Sequence, residues 1–156
     1  MTHSSTHLLR GVILLVGLIV SAILVIGLPQ LLLGEIQGDF DYGYIFLLLY
    51  VSAFPFFYAL WNAMKLLGNI DHNKAFSIDS VSAINSIKLC GYTICALYAL
   101  GMPYIFYMAD KDDAPGVVAI GFVIVGASFI VATAAAVIQQ LFQTAVDLKQ
   151  ENDLTV

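Results

Sequence analysis

Tyr50, Tyr58, Asn62 and Tyr98 are polar side chains set in otherwise apolar sequence. Inside a helical bundle, such groups can orient a small-molecule or lipid ligand by hydrogen bonding, so the four form a candidate in-membrane pocket. Ser21, Ser52, Thr93, Ser128 and Thr133 add hydroxyls in similar surroundings. These groups also have a plainer use: a hydroxyl in a span bonds back to its own helix or holds two helices together. Both readings stay open at this level.

Other chemistry is scarce. His3 and His7 are four apart and would share a helical face, with His72 as a third nitrogen donor, but no carboxylate or thiol accompanies them. They read as solvated surface histidines. Cys90 and Cys95 would lie on different faces of one helix, which argues against a mutual disulfide. The acids in G-D-F-D-Y-G and D-K-D-D lack the ligand count and turn glycine of a calcium loop. No nucleophile elbow, HExxH, P-loop or dinucleotide fingerprint is present. No catalytic, cofactor-binding or metal-ligating residue is assigned, no cofactor is expected, and the chain reads as non-enzymatic.

The elements that position these groups follow from charge. Residues 11–34, 42–64, 89–109 and 114–146 carry no charged side chain. Each stretch reaches the roughly 20 residues a helix needs to cross a bilayer core. The chain is 60% hydrophobic and 11% charged, with a mean hydropathy of +0.90; soluble domains average about 25% charged. Continuous apolar runs exclude a β-barrel, whose strands alternate. The expected fold is therefore all-α: a polytopic membrane protein, a four-helix transmembrane bundle with spans about 8–28, 44–67, 87–107 and 116–141. No carboxylate, Lys, Arg or His lies deep in a span, which disfavours proton relays, ion-coupled transport and voltage sensing.

Basic residues set orientation. Arg10, Lys65, Lys74, Lys88 and Lys149 fall on one side of a four-span hairpin. Lys111 lies on the other, with Glu35, Asp39, Asp41, Asp110, Asp112 and Asp113. Both termini are expected to be cytoplasmic, in a multi-pass bacterial inner or plasma membrane protein. The run after Arg10 is long for a signal peptide and lacks an A-x-A-like site, so it reads as an uncleaved first span.

Local signals refine this layout. Pro29 ends or kinks span one, and Pro55 is expected to kink span two. Phe40, Tyr42 and Tyr44 suit an interfacial aromatic belt. Ser77 is a plausible N-cap with Asp79 in the first turn. The Ile78, Val81, Ile84 and Ile87 stripe predicts an amphipathic helix over about 78–87 at the inner surface, feeding span three. Gly91, Cys95 and Ala99 on span three, Ser128, Ala132 and Ala136 on span four, and Gly17 with Ser21 are small-residue stripes. They suit packing within the bundle or a homo-oligomer interface. Residues 142–156 read as a cytoplasmic helix to about Gln150 and a frayed tail. The whole chain reads as one membrane domain.

The cytoplasmic face is a candidate docking surface, with Asp147, Lys149, Glu151, Asn152, Asp153 and Leu154 as its partner-docking residues. Its charge is near neutral, so direct nucleic acid binding is not expected. The closing run A-V-D-L-K-Q-E-N-D-L-T-V, Ala145 to Val156, resembles the C-terminal signature of the YoaS-like family, bacterial four-span membrane proteins of unknown function. N-K-A-F-S, Asn73 to Ser77, fits the same pattern. Members are often found beside a small helix-turn-helix regulator, so the resemblance implies a membrane partner for such a regulator.

Two functions remain. The first is a regulatory or sensing partner of a soluble cytoplasmic protein, such as a small helix-turn-helix regulator. The second is a small-molecule or lipid-binding membrane transport subunit.

Overall fold

The structure, a computed structural model, describes residues 3–37 and 40–154. Four helices follow in order: α1 (His3–Gln37), α2 (Phe40–Asp71), α3 (Ile78–Lys111) and α4 (Pro115–Leu154). All four are long and apolar enough to cross a membrane. The side chains of Glu35, Asp39, Phe40, Asp41, Tyr42 and His3, and residues Thr155 and Val156, lie outside the described residues.

The outward surface is apolar. Phe54, Leu100, Trp61 and Leu18 are 83%, 81%, 72% and 70% exposed. Such surface is tolerable only with lipid as its solvent, because burying it from water would be worth about 25 cal/mol per Å2. Backbone amides are paired within the helices, as hydrocarbon requires.

Each helix outruns its expected span. Pro29, Pro55 and Pro103 all lie inside uninterrupted helices, and α1 continues eight residues beyond Pro29 to Gln37. A proline removes one helical hydrogen bond, and the helix carries on where lipid rewards the remaining ones.

The 78–87 segment is not a separate surface helix. Ser77 caps α3, accepting from the Ser80 amide at 3.3 Å, and the helix then runs unbroken to Lys111. Lying flat and then entering the bilayer would require a break, and no Gly or Pro occurs between Ser77 and Gly91. Val81, Ala83 and Ile84 are buried against the rest of the protein, while Ile78 is 67% exposed. At the other end, α4 stays helical through Glu151–Leu154, where fraying was expected.

Packing is serial. α1 lies on α2, α2 on α3, and α3 on α4, and no Cα pair among the described residues brings α1 within 8 Å of α4. The bundle is therefore open along the α1–α4 seam. The α3–α4 seam is the most extensive and rests on small residues. A Cβ on Gly91 would sit 2.9 Å from the Ala132 Cβ and 3.2 Å from its backbone. Ala132 itself is fully buried. A Cβ on Gly121 would meet the Met102 sulfur at 2.8 Å. The Gly91 and Ala132 positions of the two stripes thus meet each other inside the chain.

Two tight turns use left-handed residues tolerant of that region: Asn73 (φ 57°) after α2 and Asp113 (φ 51°) after α3.

Candidate functional site

Most polar side chains in the spans bond to their own helix. Ser21 donates to the Gly17 carbonyl, Thr93 to that of Leu89 and Thr133 to that of Phe129, each at 2.8 Å. Asn62 Nδ2 donates to the Tyr58 carbonyl at 2.8 Å, and the Tyr50 hydroxyl donates across to the Leu24 carbonyl of α1. Tyr58 is 57% exposed, on the lipid-facing surface. Tyr98 lines a cavity between the helices, and its hydroxyl lies 3.4 Å from Ser52 Oγ. The structure does not bring Tyr50, Tyr58, Asn62 and Tyr98 together.

It builds a different site from the open seam. A cavity of about 290 Å3 is walled by all four helices, through Leu24, Ser52, Tyr98 and Ser128 among others. It shares Phe56, Ile94, Ala127 and Ser128 with a second cavity of about 330 Å3. That one shares Ala63 with a third, about 290 Å3, between α1 and α2. The third shares Thr6 and Ile70 with a fourth, about 800 Å3, at the end of the bundle that carries both chain termini. The four are neighbouring cavities with shared wall residues, the first three lined almost wholly by apolar side chains. The fourth is polar at its edge, with Asp71, Asn73 and Lys149 beside the Phe76–Phe142 ring pair, whose centroids lie 5.1 Å apart.

Three polar contacts secure this end. Arg10 Nη2 donates to Asp71 Oδ2 at 2.7 Å, tying α1 to the end of α2. The Arg10 Nε is buried and has no hydrogen-bond partner. Lys88 Nζ donates to Gln139 Oε1 at 2.8 Å across the α3–α4 seam. Ser80, fully buried, accepts from Asn69 Nδ2 at 3.1 Å and donates to the Lys74 carbonyl at 3.2 Å, joining α2 to α3. None of these was read from the sequence. The signal for Arg10 and Asp71 was available: opposite charges at the same end of adjacent antiparallel helices. Their side chains are 33% and 18% exposed, so solvent screens the pair. In a double-mutant cycle of Arg10→Met and Asp71→Asn, thermal unfolding in detergent is expected to give a coupling of about 1 kcal/mol. Additive effects would mean the ion pair holds nothing.

The candidate docking residues occupy two faces of the last turns of α4. Asp147, Glu151 and Leu154 recur at i, i+4, i+7, and Lys149, Asn152 and Asp153 at i, i+3, i+4. All six are exposed. Asp147 accepts from Gln143 Nε2 at 2.9 Å, and Lys149 edges the fourth cavity. His7 and His72 are exposed, and no group of three His, Cys, Asp or Glu among the described residues is placed to hold a metal. Cys90 and Cys95 are free thiols.

Comparison with known proteins agrees with this architecture. The chain is similar over its full length to the uncharacterized membrane protein YoaS of Bacillus subtilis (strain 168), 44% identical over 160 residues that cover 100% of both chains. No solved structure matches. The profile of the protein family of unknown function DUF2975 matches residues 39–156. With four membrane-length helices, that family match and a full-length relative that is a membrane protein, the chain is a membrane protein and belongs to the DUF2975 family.

Proposed function

We propose that this protein is a non-enzymatic regulatory or sensing partner of a soluble cytoplasmic protein, docked through the terminal turns of α4. The observation that carries this reading is the continuation of α4 to Leu154. Beyond Leu141, the expected membrane exit, thirteen residues of ordered helix extend about 20 Å. They present Asp147, Glu151 and Leu154 on one exposed face. A preformed helix loses less entropy on binding than a disordered tail does. The excess of Lys and Arg at this end supports a cytoplasmic position for it. A small helix-turn-helix regulator suits the mixed-charge surface, and nucleic acid itself does not.

The test is a pull-down of the tagged protein from its native membrane in mild detergent, with and without residues 147–156. One small DNA-binding protein, captured by the full chain and lost on truncation, is the expected result. Equal capture by the truncated, membrane-inserted protein sinks the docking helix.

The cavity walled by all four helices favours a second reading, a small-molecule or lipid-binding transport subunit. Its polar contacts would come from Tyr98, Ser52 and Ser128. Tyr98→Phe should then shrink the thermal stabilisation given by a bound solute, and a broad screen with no stabilising ligand would count against it.

A further inference from the structure

We propose that the cavity walled by all four helices binds an uncharged, largely hydrocarbon molecule dissolved in the bilayer, through a carbonyl oxygen that accepts from Tyr98 and Ser128. This deepens the ligand-binding reading and rests on it; the docking helix plays no part.

The wall supplies two underused donors. Five Ser and Thr hydroxyls lie in the expected spans. Those of Ser21, Ser52, Thr93 and Thr133 each donate to a carbonyl of their own helix. The fifth, Ser128, lines the cavity and makes no hydrogen bond among the described residues. Tyr98 lines the same cavity and is 7% exposed. Its hydroxyl has one partner among the described residues, Ser52 Oγ at 3.4 Å. The single Ser52 proton is committed to the Leu49 carbonyl at 2.9 Å, so Tyr98 is the donor in that contact. Hydroxyl hydrogen bonds normally span about 2.5–3.0 Å, so this one is long and leaves the Tyr98 proton free for a better acceptor.

Depth restricts what can reach them. Tyr98 lies ten residues from Lys88 and twelve from Asp110, about 15 and 18 Å along α3. Ser128 lies twelve residues from Gly116 and thirteen from Leu141, the expected ends of its span. Both hydroxyls are therefore near the middle of a hydrocarbon core about 30 Å thick. The ester and phosphate oxygens of a phospholipid, and the carboxylate of a fatty acid, sit at the boundary of that core and do not reach them.

Chemistry narrows the occupant further. Apart from Ser52, Tyr98 and Ser128, every side chain in the wall is hydrocarbon. A charged ligand would be stranded at that depth without a counterion. A sugar or an amino acid would bring more polar groups than three hydroxyls can satisfy. A carbonyl oxygen offers two lone pairs and brings no proton that needs an acceptor. The volume, about 290 Å3, falls at the lower end of small-molecule sites. Ile23 of α1 and Ala127 of α4 line the cavity and are exposed, so it opens sideways into lipid at the α1–α4 seam.

The test uses the full chain in mild neutral detergent with a trace of benzophenone, a ketone that crosslinks to nearby C–H bonds under light. Peptide mass spectrometry locates the label, expected on wall segments 20–24 or 124–128. Fluorenone should suppress the label at no more than about a tenth of the concentration that fluorene needs, since fluorene has a methylene in place of the carbonyl. Tyr98→Phe and Ser128→Ala should each raise the fluorenone requirement about fivefold, the net worth of one hydrogen bond, and leave the fluorene requirement unchanged. Thr133→Ala, which removes a hydroxyl bonded back to Phe129, should change neither. Each variant removes one oxygen and leaves the shape of the wall nearly unchanged. Equal suppression by fluorene and fluorenone would overturn the proposal, as would an unaltered fluorenone requirement in Tyr98→Phe or Ser128→Ala. Water already paired with the hydroxyls would give that second result. Either outcome leaves a ligand cavity standing. No label, or a label confined to other segments, would overturn the proposal and the ligand-binding reading together.

Discussion

Gly91→Ala is expected to destabilise the protein by about 1–3 kcal/mol, the usual cost of forcing a methyl into a filled interface. The added Cβ would stand 2.9 Å from the Ala132 Cβ and 3.2 Å from the Ala132 backbone nitrogen and Cα. A flexible side-chain tip can rotate away from such a contact, but a helix backbone cannot. The α3–α4 seam would have to widen, losing dispersion along the most extensive contact in the fold. Water offers no compensating hydrophobic term between helices in lipid, so close packing supplies most of their attraction. Removing the opposing methyl should restore the fit, and Gly91→Ala with Ala132→Gly is expected to recover most of the loss. Unfolding of the four variants in graded denaturant measures both effects. If Gly91→Ala unfolds like the parent, the helices slide freely and the seam is not a fixed joint.

The same seam shows how far sequence reasoning reached. Gly91 and Ala132 stood out as members of small-residue stripes, since four-residue spacing puts small side chains on one face. Which stripe meets which depends on the rotation of each helix about its axis, and in lipid apolar faces are nearly equivalent. The four spans were legible because absence of charge is a one-dimensional property. Their ends were not: α1 passes Pro29, and α4 passes Gln150. Helical hydrogen bonds stay favourable after the chain leaves hydrocarbon, so hydropathy marks the membrane and not the helix.

The candidate pocket is a related case. Tyr50, Tyr58, Asn62 and Tyr98 were grouped by depth and polarity. Asn62 is buried but satisfies its amide on its own helix, Tyr50 reaches across to α1, and Tyr98 lines a cavity beside Ser52. The cavities that exist are defined by what α1 and α4 do not fill, and no local residue pattern encodes a gap. The terminus-bearing end is more readable in hindsight: Arg10 and Asp71 carry opposite charges at the same end of neighbouring helices. The family resemblance seen in the closing run holds over the whole chain, since a full-length relative is 44% identical.

Ser80→Val is expected to cost about 3 kcal/mol, more than any cap mutation in the chain. Ser80 is fully buried where α2 turns into α3. Its hydroxyl accepts from Asn69 Nδ2 and donates to the Lys74 carbonyl, with Ser77 Oγ 3.1 Å away. Valine keeps roughly the same volume but takes away both functions. The Asn69 amide and the Lys74 carbonyl, both in part-buried bonds, would then lose that partner, at about 1–3 kcal/mol for each group left unsatisfied. Ser77→Ala removes only the cap acceptor for the Ser80 amide, a loss of about 1 kcal/mol, and that amide still has the Ser77 carbonyl at 3.0 Å. The ordering is therefore the informative result: Ser80→Val well below Ser77→Ala in unfolding midpoint, with Ser80→Ala between them. The turn that Ser80 closes also carries Asn73 and Ala75, which line the polar-edged cavity. Equal midpoints for the Ser80 and Ser77 variants would show that water reaches Asn69 and Lys74 and replaces the lost hydroxyl. The α2–α3 joint would then be held by apolar packing around Val81 and Ile84 alone.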